Sequence, residues 1–153
     1  MTRVDIRQQV RDRLSGCPGV HFEDGPDWIK VPPSDPSGFE VGVWAGPKAY
    51  TVAFDGWHEE LSSAQDALDC VVFGLSQSCR LAVALRGNYA TTWTVEALED
   101  DTWTPLGVTG LLMQPFWRRV RIEYRSNRLF DVRTPAEVAR FRQILGRVNG
   151  SGQ

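Results

Sequence analysis

The chain has 153 residues, a formal net charge of −2 and 24% charged residues, a composition that fits one globular domain and excludes a disordered chain. A chain of this length can fold without a metal or a disulfide, and no apolar run is long enough for a transmembrane helix. The first fifteen residues carry four Arg and two Asp without an apolar stretch. We therefore expect a single domain over residues 1–153, with no secretory signal, no membrane association and a cytoplasmic location.

Charge is unevenly distributed along the chain. Residues 1–76 carry six basic and twelve acidic side chains, whereas residues 77–153 carry eleven basic and seven acidic ones. The negative total argues against a general nucleic-acid-binding protein. The three cysteines, Cys17, Cys70 and Cys79, cannot all pair within one chain, and we expect three free thiols.

The first third of the chain predicts one helix and a long loop. Ile6, Val10 and Leu14 recur at helical spacing and predict a narrow apolar stripe on a charged helix. Residues 24–38 then contain six Pro and Gly residues, which predict a surface loop with room only for a short edge strand over residues 28–31.

Two strands and a second helix follow. Apolar and other residues alternate over residues 39–45 and 50–54, which predicts two half-buried strands, and Asp55-Gly56 is expected to end the second. Ser62 is the expected cap of the next helix, with Gln65 completing a capping box.

The second half predicts four further strands and a last helix. The strands are expected over residues 81–86, 89–98, 103–113 and 118–125. Thr134-Pro135 begins a helix with Phe141 on its buried face, and residues 149–153 form a flexible tail.

These elements predict an α+β fold. We expect a mainly antiparallel sheet of about six to seven strands with helices packed on one face, in the order α-β-β-α-β-β-β-β-α. This order resembles that of the type III secretion chaperones, which are acidic homodimers that hold an effector chain. The larger number of strands after the middle helix departs from the chaperone pattern.

The densest ionisable cluster lies between the second predicted strand and the second helix. His58, close to Asp55 and Glu59, is the candidate for a general base oriented by a carboxylate. The alternative is that the acidic residues favour the dipole of the following helix while His58 is solvated.

Metal and cofactor motifs are missing from the sequence. The two histidines and three cysteines have no metal-ligand spacing, and no glycine-rich phosphate loop or nucleophile elbow is present. We therefore expect no metal site and no cofactor.

Tryptophan and arginine provide the candidate binding residues, because both are enriched at the centres of protein interfaces. The candidates are Trp44, Trp57, Trp117, Arg119, Arg121 and Arg125. Trp44 falls on the face of its strand opposite the predicted core, where it lines a pocket, seals an interface or lies flat on the sheet. The arginines either grip phosphates beside Trp117 or protect an ordinary edge strand from aggregation, and the net charge makes nucleic acid the less favoured partner.

Two classes of function stay open. The first is a non-enzymatic interaction protein, chaperone- or adaptor-like, that forms a homodimer and contacts a protein partner. The second is a small-molecule-binding or hydrolytic domain whose sheet curls around an aromatic pocket near His58. A flat, Trp-bearing face favours the first class, and a closed cavity containing His58 and a carboxylate favours the second.

Overall fold

A computed structural model of the protein describes residues 5–17, 19–33, 35–111, 113, 117–129 and 143–144. Within them lie helices α1 (Ile6–Leu14) and α2 (Ala64–Gly74), and strands β1 (Glu23–Asp24), β2 (Trp28–Val31), β3 (Val41–Ala45), β4 (Tyr50–Phe54), β5 (Trp57–Leu61), β6 (Cys79–Arg86), β7 (Tyr89–Glu99), β8 (Thr102–Gly110) and β9 (Val120–Arg125).

The strands form two antiparallel sheets. The first sheet contains β1 to β5 in chain order, and the second has the order β8-β7-β6-β9. The prediction of a single sheet of six to seven strands is therefore wrong, and so is the predicted order, because five strands precede α2. The description as a mostly antiparallel α+β protein is confirmed.

The first sheet is a simple meander. Its β2 strand occupies residues 28–31 as predicted, but it is not an edge strand, because the two residues of β1 pair with its outer side. A tight turn at Asp55-Gly56 leads into β5, so that Phe54 pairs with Trp57. Asp55 has a φ of 49°, the left-handed conformation that two-residue hairpin turns require.

The two helices cover one face of the first sheet. Helix α1 buries Ile6, Val10 and Leu14 as predicted and packs against β2 and α2, whereas α2 packs against β3, β4 and β5. The cap of α2 is Ser63, not Ser62, and its hydroxyl accepts a hydrogen bond of 3.0 Å from the backbone N–H of Asp66.

The core runs continuously from the first sheet to the second. It includes Phe39, Phe54, Trp57, Phe73, Leu81, Val83 and Val95. Gly74, at the end of α2, lies directly against the Phe54 ring: a Cβ atom at this position would be 2.5 Å from two ring carbons. The helix can approach β4 this closely only because residue 74 has no side chain.

Three predictions fall outside the described residues, wholly or in part. The last helix was predicted from residue 134 onward; of it the structure describes Gln143 and Ile144, which have helical backbone, and Ile144 is buried. The tail at residues 149–153 and the cap at Thr134 lie outside the described part of the chain.

Candidate interaction surface

The outer face of the second sheet is the face turned away from the core. In β6 the buried residues alternate with partly exposed ones, which lie on the outer face. The strand register shows which residues of the neighbouring strands share that outer face. At the middle of the sheet this outer face consists of Ala82, Ala84, Thr92, Thr94, Val108, Gly110, Val120, Ile122 and Tyr124. None of these nine residues is charged.

The side chains of the outer face are small at its centre and mostly large and apolar at its edges. The two central strands contribute Ala and Thr, whereas the edge strands contribute Gly110 and four large side chains, those of Val108, Val120, Ile122 and Tyr124. Val108 is 62% exposed, Ile122 47% and Tyr124 53%. A monomeric protein rarely exposes large apolar side chains as a contiguous patch unless the patch is a contact surface.

Strand β9 has the reverse of the usual arrangement. Its apolar side chains lie on the outer face, and Arg121, Glu123 and Arg125 lie on the face shared with the buried residues of β6. Arg125 Nη1 reaches Asp55 Oδ2 in the turn of the first sheet at 2.9 Å, and its Nε lies 3.5 Å from Glu123 Oε1. Arg125 therefore joins the two sheets and is not a free surface cation.

The two ends of the second sheet differ in charge. The turn between β7 and β8 carries Glu99, Asp100 and Asp101, whereas the opposite end carries Arg118 and Arg119 beside Arg86. Arg86 Nη1 donates a hydrogen bond of 3.1 Å to the carbonyl oxygen of Arg118. Charges of opposite sign thus mark the acidic end and the basic end of the same sheet.

At the acidic end, the guanidinium of Arg80 lies between two aromatic rings. Its central carbon is 4.5 Å from the ring centroid of Trp103 and 3.9 Å from that of Tyr124. Arg80 Nε also donates a hydrogen bond of 2.5 Å to Glu96 Oε1 on the neighbouring strand. Stacking and ion pairing together hold the arginine in one orientation.

A pocket of about 200 Å³ opens beside this stack. It is lined by Ser37, Gln77, Arg80, Trp103, Tyr124, Ser126 and Arg128. These residues were not predicted as a group, because they are spread over ninety-two positions of the chain. Arg80 and Glu96 carry opposite charges, but this indicates a contact between them only when the register of β6 and β7 is known.

Among the predicted binding residues at the basic end, Trp117 is 83% exposed, and Arg119 and Arg121 are also exposed. The neighbouring Arg118 lies over the ring of Tyr89, with 5.9 Å between its central carbon and the ring centroid. These residues share one end of the second sheet, whereas Trp44 lies on the first sheet.

Trp44 lies flat on the outer side of the first sheet. A Cβ atom on Gly42 would be 2.9 Å from the Trp44 ring, and Lys30 Nζ lies 5.7 Å from the centroid of that ring. Trp28 pairs with Trp44 in register, and Lys30 Nζ is 5.1 Å from its centroid as well. The Trp44 ring is therefore spread over its own sheet.

Trp57, one of the predicted binding residues, is fully buried. Its ring centroid lies 4.7 Å from that of Phe54 in the core. Its indole nitrogen is buried without a hydrogen-bond partner among the described residues. Trp57 therefore serves the packing between the layers.

The three candidate catalytic residues are not brought together. Asp55 binds Arg125 and accepts a hydrogen bond of 2.9 Å from the backbone N–H of Glu40. His58 and Glu59 are successive residues of β5, not of a loop as predicted, so their side chains point to opposite faces. His58 is exposed, whereas Glu59 shares the face of its register partner, the buried Val52.

The environment of Glu59 is partly apolar. Burial raises the pKa of Glu59, although the charge of His58 acts in the opposite direction. Burial also raises the pKa of the Cys70 thiol on α2, and the charges of Glu59, Asp69 and Asp66 add to that rise. A thiol in such surroundings is unreactive.

Other features bear on the predicted classes. Cys17, Cys70 and Cys79 are free thiols, as predicted. In the described part of the chain, no three His, Cys, Asp or Glu side chains are grouped so that they could hold a metal ion. No helix of the described residues has the length and apolarity needed to cross a membrane.

Comparisons of the chain with models of protein families, with curated proteins and with solved structures found no match.

Proposed function

We propose that the protein is a non-enzymatic interaction protein that forms a homodimer through the outer face of its second sheet. The observation that carries the proposal is the uncharged outer face with Val108, Ile122 and Tyr124 exposed on it. Covering these side chains removes apolar surface from water, which is the main driving force of association.

The charge pattern favours a second copy of the chain as the occupant. In a dimer whose two-fold axis runs across the strands, the acidic end of one copy faces the basic end of the other. Ile122 is at the middle of the apolar strip on β9, so it would then face its own symmetry mate, with Val120 opposite Tyr124.

The edge of β9 is less suited to association than its face. Charged side chains that point inward from an edge strand discourage pairing with a further strand, and Arg121, Glu123 and Arg125 have this placement. We therefore assign the contact to stacking of the two outer faces and not to extension of the sheet.

Sedimentation equilibrium at micromolar concentration tests the proposal. We expect the wild-type protein to sediment as a dimer and Ile122→Lys to sediment as the 17.2 kDa monomer, because the new charges would be buried against each other. Gln65→Lys, on the exposed side of α2, is the charge-matched control and should remain dimeric.

A second variant separates the two sheets. Thr51 pairs with Trp44 in register, so Thr51→Lys introduces a charge beside Trp44. If Thr51→Lys dissociates the dimer and Ile122→Lys does not, the interface lies on the first sheet and the proposal is wrong. A wild-type protein that sediments as a monomer would also overturn the proposal.

A further inference from the structure

We infer that the pocket beside Arg80 binds a small anion that carries a single oxyanion group, a phosphate or a carboxylate. This pocket lies at the acidic end of the second sheet, and its Tyr124 also belongs to the outer face proposed for dimer contact, so binding is tested in the monomeric variant as well. The pocket contains two arginines and no acidic residue in its lining.

The side chain of Arg80 is fixed by its neighbours at the edge of the pocket. The rings of Trp103 and Tyr124 both contact its guanidinium, and its Nε donates a hydrogen bond to Glu96. In the described part of the chain, neither terminal amino group of Arg80 has a hydrogen-bond acceptor. Two such amino groups, held in one plane, match the two oxygens of a carboxylate or phosphate.

Further hydrogen-bond donors surround the pocket. Arg128 Nε donates to the hydroxyl of Ser126 at 3.2 Å, so Ser126 keeps its own hydrogen for a ligand. Arg128 has no ion pair with any described residue. Gln77 adds an exposed amide.

The volume of the pocket and the charges near it limit the size and charge of the ligand. About 200 Å³ suits a group of a few heavy atoms. The turn with Glu99, Asp100 and Asp101 lies at the same end of the sheet and would repel an extended polyanion such as a nucleic acid. A single oxyanion group can approach Arg80 and Arg128 without placing further negative charge near that turn.

Nuclear magnetic resonance titration tests the inference with two probes, inorganic phosphate and acetate, at constant ionic strength. We expect at least one probe to shift the Trp103 indole N–H and the Ser126 amide in a saturable way, with the Trp28 indole unchanged. The probe that binds with the higher affinity identifies the class of ligand, since phosphate represents a phosphorylated ligand and acetate represents a carboxylic acid.

Variants connect the shift to the arginines. Arg80→Met keeps an apolar stem between the rings and should weaken binding about tenfold or more, since hydrogen bonds to a charged group are lost. Arg128→Ala, at an exposed position, should also weaken it, whereas Arg119→Ala should not. Repeating the titration in Ile122→Lys keeps the result separate from the oligomeric state.

Three outcomes would overturn the inference. They are shifts that never saturate with either probe, equal shifts at Trp28 and Trp103, and unchanged affinity in both folded variants, Arg80→Met and Arg128→Ala.

Discussion

Asp55 and Arg125 form an ion pair across the two sheets, with 2.9 Å between Oδ2 and Nη1 and a quarter of each side chain exposed. Asp55 belongs to the turn between β4 and β5, and Arg125 ends β9. The pair therefore connects residues seventy positions apart and fixes the edge of the second sheet against the first.

We expect Asp55→Asn and Arg125→Met to be coupled. Asn tolerates the left-handed backbone of residue 55, so the substitution removes the charge without straining the turn. A double-mutant cycle by chemical denaturation should give a coupling energy of about 0.5–1 kcal/mol that falls with added salt. The more exposed pair Lys30–Glu40, at 3.7 Å within one sheet, is the control and should give a coupling near zero.

Gly74→Ala should destabilise the protein although Ala favours helices. The added methyl would meet the buried Phe54 ring at 2.5 Å, so α2 must move away from β4. Overpacking of this kind costs about 1–3 kcal/mol. Gly16→Ala is the matched control, because nothing lies within 4 Å of the new methyl, and it should be neutral or stabilising by up to about 1 kcal/mol. A stabilised Gly74→Ala variant would contradict the close contact.

The stability contribution of Glu59 should depend on pH. Because burial raises its pKa in the folded state, the folded protein binds this proton more tightly than the unfolded chain. The contribution therefore becomes unfavourable as the pH rises through the interval between the ordinary and the raised pKa. Glu59→Gln should gain stability relative to wild type across that interval, and Glu60→Gln, at an exposed position, should not. Denaturation series at acidic and neutral pH measure the difference.

The three thiols should differ in reactivity. Cys70 and Cys79 are fully buried, whereas Cys17 is partly exposed. A thiol reagent should label one cysteine quickly in the native protein, and Cys17→Ser should abolish that fast phase. Rapid labelling of two or more thiols in Cys17→Ser would show that the core opens easily.

Local patterns predicted most elements but not which strands pair. The alternation in β3, β4, β6 and β9 is visible in the sequence because each strand buries side chains on one face at most. Strand β5 was missed because Glu59 occupies a core-facing position that an apolar residue usually takes. The turn Asp55-Gly56 was the available signal, since this dipeptide is typical of two-residue hairpins.

The candidate site was predicted less well than the fold. The alternation of β9 predicts the strand but not which of its faces is turned toward the first sheet, and the ion pair between Arg125 and Asp55 shows that this is the face of Arg125. In the same way, the stack of Trp103, Arg80 and Tyr124 brings together three strands, and no local pattern in any one of them indicates it. The contacts of the candidate site depend on ion pairs between distant residues and on strand register, and hydrophobic periodicity reveals neither.

The strand order of the second sheet has a consequence for folding. Among the strands of the described residues, every neighbouring pair is consecutive in the chain except β6 and β9. Pairing β6 with β9 closes a loop that contains both β7 and β8. Because closing this long loop costs more entropy than closing a hairpin, we expect it to follow the formation of the local hairpins. Strand β9 is then the last to dock, and amide hydrogen exchange should be fastest there among the strands of this sheet. The same late step brings Arg125 to Asp55, so the two sheets are locked together only when the sheet is complete.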